Sequence, residues 1–461
     1  MSPLRDLPEI EELDARRAFV RIPAETDVPL TPRVRHILDS PEFRRLSQIT
    51  QLGLVSLVYP AAHHTRLEHS LGVYHTALRY LKRLSHDERF TQIVGTADAE
   101  RFLVAALLHD VGHWPFCHPL EDIGLPQIPR HEQFAEQFLT TGTLAEILKS
   151  EWNLDPHSLV SLLSGTAVGQ PAGILRSMLS GPIDVDKMDY LQRDSLHAGV
   201  PYGRNFDQQR LIGSLCLNAK ADGLAITEKG RTAAEMMVFC RYVMFSEVYW
   251  HHAVRSATAM LQRAVYELRD SLNWSSILHL TERPLIDHLL AQMTHHAGQS
   301  LLEGRSLLEG LFSPRRALYK RLFEFSYFQH QQLYQQLARQ PYPHLVEVAA
   351  SLADRLSHAL REPVAAHEVL VDAPPVHREV EFHVDIYFPK EDCYRPLAEV
   401  SPVVRTLARE QFDDYVKRVR IFLHPRWADR VQSLGNLQEI IQSAVADPAG
   451  NAPHSSTPAP C

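Results

Sequence analysis

Four short fragments in the first half of the sequence concentrate residue types that bind metal ions and carry protons. They are HTRLEHS (64–70), HDVGHWPFCH (109–118), HEQ (131–133) and DVDKMDYLQRD (184–194). Histidine stands out in the composition, because nine of its 26 copies lie between His63 and His131. Since imidazole both ligates metals and exchanges protons near neutral pH, this clustering indicates a metal-dependent catalytic site.

Two histidines and two aspartates, His69, His109, Asp110 and Asp186, are the candidate metal ligands. Adjacent residues of a regular helix point about 100° apart, so His109 and Asp110 can bind one ion only where a helix ends, and Gly112 would loosen it there. This nitrogen and oxygen set suits Fe, Mn, Zn, Co or Ni rather than Ca or a thiolate-bound metal. It leaves coordination positions for water and a phosphate oxygen, the arrangement that activates water against phosphorus.

Each of these residues also has a structural interpretation. A single histidine on an apolar helix face is more often packed core than a ligand, and a His-Asp pair alone carries little information. The metal site is favoured because the pair closes an apolar run, RLEHS precedes it, His113 and His118 follow it, and DVDKMDY lies downstream.

Composition argues against several other classes of protein. The formal charge is −8 and no lysine- or arginine-rich block occurs, which disfavours nucleic acid as a partner. The five cysteines are scattered without CxxC spacing, which argues against a disulfide framework or a cysteine zinc site. No apolar run reaches roughly 18 residues and the acidic N-terminus is not a secretory signal, so we expect a cytoplasmic protein with no membrane partner.

The segment from about 30 to 270 has the pattern of successive helices. An apolar stripe at helical spacing runs through 67–81, and a continuous apolar run covers 102–108. The stretch 232–268 lacks glycine and proline, which predicts one long core helix. Before it, 224–227 lies between two glycines and predicts a short strand.

The character of the sequence changes after about residue 365. Apolar and polar residues alternate over 380–388, which predicts a strand with one buried face, and a helical stretch near 402–416 and a strand at 419–423 follow. The last residues are rich in Pro, Ala and Ser, which predicts disorder. We therefore predict a mostly α protein with an N-terminal segment (1–43), a helical domain that carries the four fragments (44–365), a smaller C-terminal α+β lobe (366–445) and a disordered tail (446–461).

Taken together, the fragments resemble the HD superfamily of phosphohydrolases, in the branch of deoxynucleoside triphosphate triphosphohydrolases. The pattern H…HD…D of that branch matches the four candidate ligands, and the sequence at 184–194 closely resembles a motif of that family. The resemblance is good from about 44 to 270 and looser in the C-terminal lobe. It implies hydrolysis of a dNTP to deoxynucleoside and triphosphate, one divalent transition metal, additional Mg²⁺ with the substrate phosphates, and a homo-oligomer (dimer or tetramer).

The resemblance also implies roles outside the metal centre. His131 would be the acid–base residue, oriented by Glu121 and Glu132, since a carboxylate can hold an imidazole protonated for a leaving oxygen. His113 and His118 would contact the 5′-oxygen and the α-phosphate. The residues implied to bind the nucleotide are Gln51 and Leu52 at the sugar, Asp194 at the 3′-hydroxyl, Arg66 at the α-phosphate, and Lys187 and Tyr190 at the polyphosphate.

The sequence departs from the family pattern in and just after the fragment 109–118. Trp114 stands where relatives commonly have Gly, Cys117 where Ser is usual, and Glu121 where Asp is usual. The alternative to a binding role is that Arg66 and Lys187 are surface ion-pair partners and that Tyr190 is packed in the core.

A second departure lies in the helix after residue 235, which should present an Arg, a His and a Tyr to the triphosphate and base. Our register places Tyr242, Ser246 and Trp250 at those positions, with Arg241, Tyr249 and His251 out of phase. Recognition of the triphosphate end is therefore expected to differ.

Two alternative functions stay open from the sequence. One is another HD activity, a nucleotidase or a phosphodiesterase on a signalling nucleotide, which would release single phosphate instead of triphosphate. The other is a regulatory module that binds a nucleotide without cutting it.

Overall fold

The computed structural model describes residues 3–15, 17–295, 299–376, 383–409 and 416–448. Helices predominate among the described residues and strands form a minor part of them, which confirms the prediction of a mostly α protein with a smaller α+β region. None of the helices in these ranges is both long and apolar enough to cross a membrane.

Helices make up most of the chain before residue 230. They are α1 (Pro8–Ala15), α2 (Pro32–Asp39), α3 (Pro41–Arg44), α4 (Arg66–Leu84), α5 (Glu88–Ile93), α6 (Thr96–Leu108), α7 (Cys117–Glu121), α8 (His131–Thr140), α9 (Gly142–Ser150), α10 (Pro156–Leu163), α11 (Gln170–Ser180), α12 (Val185–His197) and α13 (Gln208–Gly213). α4 packs against both α6 and α12, so the helices that carry three of the four fragments are neighbours.

Helices also dominate the second half. They are α14 (Arg231–Met244), α15 (His252–Leu268), α16 (Trp274–Ile277), α17 (Glu282–His295), α18 (Gln299–Phe312), α19 (Gln331–Leu337), α20 (Tyr342–Leu360), α21 (Leu397–Val400), α22 (Pro402–Arg409), α23 (Ala428–Gln432) and α24 (Leu437–Ala446). The helix predicted over 402–416 is present up to Arg409, and 410–415 lie outside the described residues.

The prediction of one long helix over 232–268 is wrong. α14 ends at Met244, a π-helical turn covers Phe245–Tyr249, and α15 begins at His252. A π turn carries wider i→i+5 hydrogen bonding and occurs often at functional sites. The apolar periodicity of the sequence did not reveal this break, because the side chains on both sides of it are equally apolar.

The strands of the described ranges form three small sheets. They are β1 (Phe19–Ile22), β2 (Thr26–Pro29), β3 (Leu215–Leu217), β4 (Leu224–Thr227), β5 (Lys320–Phe325), β6 (Val369–Asp372), β7 (Asp385–Phe388), β8 (Cys393–Pro396) and β9 (Val419–Leu423). Their orders are β1-β2, β3-β4-β7-β8 and β5-β9-β6. All pairs are antiparallel except β4 with β7, which is parallel.

The strands predicted at 224–227 and 419–423 are confirmed, and that predicted over 380–388 is present as β7, with 377–382 outside the described residues. Strands from both sides of residue 365 pair in the same sheets, β4 with β7 and β5 with β9. The domain boundaries therefore stay predictions. α24 ends at Ala446, and most of the predicted disordered tail, 449–461, lies outside the described residues.

The buried apolar side chains form two clusters. The first packs α4, α6, α12 and α14 together and takes in Ile386 of β7 and Val404 of α22. The second packs α15 and α20 against β6 and β9 and takes in Trp114 and Cys117, which follow α6. The chain after α6 therefore passes from one cluster to the other, and the candidate site lies where it does so.

Candidate active site

The side chains of His69, His109 and Asp186 converge. His69 is on α4, His109 is the first residue after α6, and Asp186 is in the first turn of α12. Nε2 of His69 lies 3.2 Å from Nε2 of His109 and 3.1 Å from Oδ1 of Asp186. Nε2 of His109 lies 3.9 Å from Oδ1 of Asp186. Groups that ligate one metal at about 2.1 Å lie between about 3 and 4.2 Å apart, so the three separations are compatible with a shared divalent cation.

The other ring nitrogen of each histidine is held by the protein. Nδ1–H of His69 donates to Oδ2 of Asp189 at 2.9 Å, and Nδ1–H of His109 donates to the carbonyl oxygen of Ala106 at 2.9 Å. Metal-ligating histidines ordinarily have this arrangement, which fixes the tautomer and the ring orientation. Both Nε2 lone pairs then face each other, and a cation between them removes their repulsion.

Asp110, the fourth predicted ligand, lies beside this group. Its Oδ1 is 3.4 Å from Nε2 of His109, while Nη1 of Arg66 donates to its Oδ2 at 2.8 Å. Burial alone would raise the pKa of Asp110, but nearby His113, His109 and Arg66 hold it well below its usual range. Asp110 is therefore a charged carboxylate next to the three converging groups.

The charges around His69 favour a bound cation. Burial lowers the pKa of this imidazole, but hydrogen bonds to Asp186 and Asp189 outweigh burial and raise it to about 10. The same negative charge would favour a divalent metal ion at this position, and the metal ion would compete with a proton for the imidazole.

Two glycines allow the close packing that this centre needs. A Cβ atom on Gly72 of α4 would lie 1.9 Å from Oδ1 of Asp189, and one on Gly112 would lie 2.1 Å from the carbonyl oxygen of His131. Gly112 therefore permits α8 to begin directly against the His-Asp turn. The sequence predicted only its role in loosening the helix.

The predicted catalytic residues form a second cluster around Glu121. Its Oε1 accepts from the backbone N–H of His131 at 2.8 Å and lies 3.0 Å from Nδ1 of that residue, while its Oε2 lies 3.3 Å from Nδ1 of His118. Burial would raise the pKa of Glu121, but these hydrogen bonds lower it further than burial raises it. Nε2 of His131 lies 3.3 Å from Glu132, and the ring centroids of His113 and His131 are 3.9 Å apart.

A cavity of about 520 Å³ lies beside the metal group, within the usual range of roughly 300–1,000 Å³ for ligand sites. It is lined by the six predicted nucleotide-binding residues, Gln51, Leu52, Arg66, Lys187, Tyr190 and Asp194, and by Asp186 and His118. His113, His131, Glu121 and Glu132 are not among its lining residues.

The cavity is lined by more basic than acidic side chains. Its basic lining residues are Arg66, Arg130, Lys187, Arg241, Arg255 and Lys417, and its acidic ones are Asp122, Asp186 and Asp194. An excess of basic groups around a partly closed space favours an anionic ligand.

Two lining residues, Arg66 and Gln51, each bury a polar atom that has no hydrogen-bond partner among the described residues. The two atoms are the donor Nε of Arg66 and the acceptor Oε1 of Gln51. Unpaired buried polar atoms are uncommon in folded proteins, and both of these belong to residues that line the cavity, where a ligand would supply their partners.

Of the three residues that the expected register placed at the cavity, Trp250 lines it and the other two do not. Arg241, Phe245, Tyr249 and Trp250 line the cavity, whereas Tyr242 and Ser246 do not. Tyr242 instead stacks on Phe239, a side chain that is 45% exposed. The widened turn before Trp250 brings Tyr249 and Trp250 to the cavity side together.

Several residues of the site had no assigned role from the sequence. The sequence could have indicated Asp189, because it lies one helical turn after the candidate ligand Asp186 and shares the same face of α12. His64 bonds Asp194, and Tyr249 does so from α14–α15. Arg255 on α15 and Lys417 before β9 also line the cavity. They are far apart in the sequence, so only the folded structure shows that they share this site.

Comparison with known proteins places this geometry in a family. The HD domain matches residues 66–163, and the HD associated region matches residues 206–436. The chain belongs to the HD family of phosphohydrolases. HD-domain hydrolases bind a divalent metal, in agreement with the converging His and Asp groups.

Individual HD relatives align over different lengths. The chain is 32% identical to the uncharacterized protein MJ1154 of Methanocaldococcus jannaschii, over 84% of this chain and 75% of that protein. It is 34% identical to the uncharacterized protein YwfO of Bacillus subtilis over 50% of this chain, and 25% identical to the deoxynucleoside triphosphate triphosphohydrolase SAMHD1 of Danio rerio over 65%. The alignments span 51% and 54% of those two proteins.

The HD fold also has solved counterparts. A hypothetical protein from Aquifex aeolicus matches with a TM-score of 0.68 and 26% identity, over 90% of this chain and 99% of that one. A phosphohydrolase from Bacteroides thetaiotaomicron matches with a TM-score of 0.65 at 22% identity, over 88% and 100%. The second likeness concerns the fold alone.

Proposed function

We propose that the chain hydrolyses deoxynucleoside triphosphates at the α-phosphate and releases deoxynucleoside and inorganic triphosphate. The observation that carries this proposal is the shared cavity: the metal-facing Asp186 lines the same space as the predicted sugar and phosphate residues. A nucleotide in that space would have its α-phosphate beside the metal group.

His69, His109, Asp110 and Asp186 would hold the metal. When bound, a divalent ion supplies Lewis acidity toward a phosphate oxygen and activates water. Asp189 and the Ala106 carbonyl keep both imidazoles in the ligating tautomer.

Phosphate binding is assigned to Arg66 and Lys187, with Tyr190 beside them. One arm of the Arg66 guanidinium is bound to Asp110, which aims the unpaired Nε donor from a fixed position. Lys187 is tethered to Asp184 at 2.6 Å and to the carbonyl of Gly181 at 3.2 Å. Fixed cations of this kind stabilise phosphate charge with little reorganisation.

The sugar is assigned to Gln51, Leu52 and Asp194. The unpaired Oε1 of Gln51 is a buried acceptor, and Asp194 is a buried carboxylate whose oxygens can accept from a hydroxyl. His131, fixed by Glu121, would give a proton to the departing 5′-oxygen, with His113 and His118 beside it.

The experiment is product analysis. The protein is incubated with the four dNTPs, the four NTPs and signalling nucleotides in the presence of Mn²⁺, Fe²⁺, Co²⁺ or Mg²⁺. We expect deoxynucleoside and triphosphate in equal amounts from dNTPs.

A His109→Ala, Asp110→Ala double variant is the matched control, and it should have lost this activity. Release of single phosphate, or a double variant as active as the parent, would contradict the proposal. Binding without turnover would favour a regulatory module instead.

A further inference from the structure

One histidine outside the metal group and the Glu121 cluster is joined to the sugar side of the cavity. His64 precedes α4, and its side chain has no exposed surface. Its Nε2 lies 2.9 Å from Oδ1 of Asp194. Because an ionised carboxylate only accepts hydrogen bonds, the imidazole N–H is the donor.

We propose that His64 is a positioning residue for sugar recognition, holding the Asp194 carboxylate in the orientation that accepts a hydrogen bond from the 3′-hydroxyl of the nucleotide. This inference rests on the proposed function, which assigns Asp194 to that hydroxyl. His64 itself acts through Asp194 and is not among the residues that line the cavity.

The carboxylate of Asp194 is held from two sides. His64 donates to Oδ1, and the hydroxyl of Tyr249 donates to Oδ2 at 2.7 Å. The two donors come from the segment before α4 and from the π turn after α14, so rotation of the carboxylate would break a bond to one of them. Each oxygen accepts about two hydrogen bonds, which leaves acceptor capacity for a ligand in the cavity.

The surroundings of His64 argue that its bond to Asp194, and not its packing, is what the imidazole contributes. The ring stacks on His197 with centroids 4.3 Å apart and an angle of 15°. Its Nδ1 is buried and has no hydrogen-bond partner among the described residues. An unpaired buried nitrogen destabilises a fold, so an apolar ring would fill this position better if packing were its only role.

The position of His64 also relates the sugar site to the metal centre. Glu68 of α4 bonds His197 at 2.8 Å and Arg193 at 2.8 Å, and Arg193 in turn pairs with Asp189 behind His69. His64 and His69 therefore stand on one segment that is tied repeatedly to α12. These bonds therefore fix Asp194 relative to His64 and Asp186 relative to His69, with both aspartates on α12.

The test compares two substrates that differ only at the 3′ position, a 2′-deoxynucleoside and a 2′,3′-dideoxynucleoside triphosphate of the same base. The variant His64→Phe keeps an aromatic ring against His197 but removes the donor. In the wild type we expect kcat/KM to favour the 3′-hydroxyl by about ten-fold or more, because a hydrogen bond to a charged group is involved. In His64→Phe this preference should fall to about two-fold or less, with turnover of the dideoxy substrate nearly unchanged.

Two further variants separate positioning from packing. His64→Gln carries an amide N–H that can reach Asp194 and should restore part of the preference. His197→Phe retains the stack but loses the bond to Glu68, and it should keep the wild-type preference. Metal content of every variant is measured alongside, so that a damaged metal centre is recognised separately.

An equal fall for both substrates in His64→Phe, or an unchanged preference, would overturn the inference. If His64→Phe does not fold, an unchanged preference in His64→Gln relative to His64→Leu, measured as binding of the two nucleotides, would also overturn it. A wild type that cleaves dNTPs to triphosphate without any 3′ preference refutes the inference and leaves the proposed function standing. A wild type that releases no triphosphate refutes the proposed function itself.

Discussion

At the residue scale, the metal group depends on side chains that do not face the ion. Asp189 receives the His69 N–H and is itself paired with Arg193 through two bonds of 2.7 and 2.8 Å. Outer partners of this kind set the basicity and aim of a ligand. The orientation of the His69 ring therefore depends on a side chain of α12 as well as on its own helix, α4.

Replacement of this partner should weaken the metal site. We expect Asp189→Asn to lower the affinity for the metal about ten- to a hundred-fold, since the amide lacks the charge that supports His69. Competition with a chelator measures the change. Asp14→Asn is the control, because Asp14 pairs with Lys82 on the outer surface of α4, the helix that carries His69, and an equal loss there would contradict the assignment.

Arg66 has two separable tasks, pairing with Asp110 and offering a free Nε donor. Arg66→Lys keeps a cation for Asp110 but loses the second donor. We expect KM for the nucleotide to rise about ten-fold while metal content stays at the parent level. Arg79→Lys on the same helix, where Arg79 bonds Gln208, should change neither quantity, and loss of metal in Arg66→Lys would show that Arg66 is structural.

At the element scale, the site is made at helix ends. α6 ends at Leu108 immediately before His109, α12 begins two residues before Lys187, and α8 begins at His131. Asp184 fixes the start of α12, because its Oδ1 accepts from the backbone N–H of Lys187 at 2.6 Å. Helix ends are where neighbouring residues escape the regular spacing of side chains, so adjacent residues can serve one site.

Contact between two such ends depends on Gly112. We expect Gly112→Ala to lower the free energy of unfolding by about 2 kcal/mol or more, because the added Cβ meets the backbone of His131, and to reduce activity with it. Thermal and denaturant unfolding measure the change. Gly95→Ala at the start of α6 has open space around the new Cβ and should stay within about 1 kcal/mol of the parent; equal losses would refute the close-contact argument.

How far the sequence predicts these elements depends on the range of the interaction. The end of α6 at the His-Asp pair and the strand at 224–227 follow from local patterns, and both are present. The break at Phe245–Tyr249, and the position of Tyr249 rather than Tyr242 at the cavity, depend on contacts between helices, which a single sequence does not display. For the same reason the bond from His64 to Asp194, 130 residues apart, was not predicted.

At the scale of the whole molecule, the C-terminal region completes the cavity. Arg255 on α15 lines the cavity and pairs with Asp372 of β6 at 2.6 Å, and its guanidinium lies 3.9 Å from the ring centroid of Trp250. Lys417, before β9, lines the same space. The HD associated region therefore contributes side chains to the site as well as a second hydrophobic core.

The pair formed by Arg255 and Asp372 links these parts. Both side chains are buried, at 9% and 1% exposure, and an unpaired buried charge is strongly unfavourable. We expect Asp372→Asn to lower the free energy of unfolding by about 3 kcal/mol and to raise KM for the nucleotide. Asp354→Asn on α20, whose carboxylate is 72% exposed, should alter neither, and a similar effect there would contradict a specific role for the pair.

Metal stoichiometry tests the central claim most directly. The protein is stripped with a chelator, reloaded with Mn²⁺, Fe²⁺ or Co²⁺, and the bound metal is measured by elemental analysis for the wild type and for His69→Ala, His109→Ala and Asp186→Ala. The account predicts one tightly bound divalent ion per chain in the wild type and its loss in each variant. A wild type that takes up no metal, or variants that retain the same amount, would contradict it.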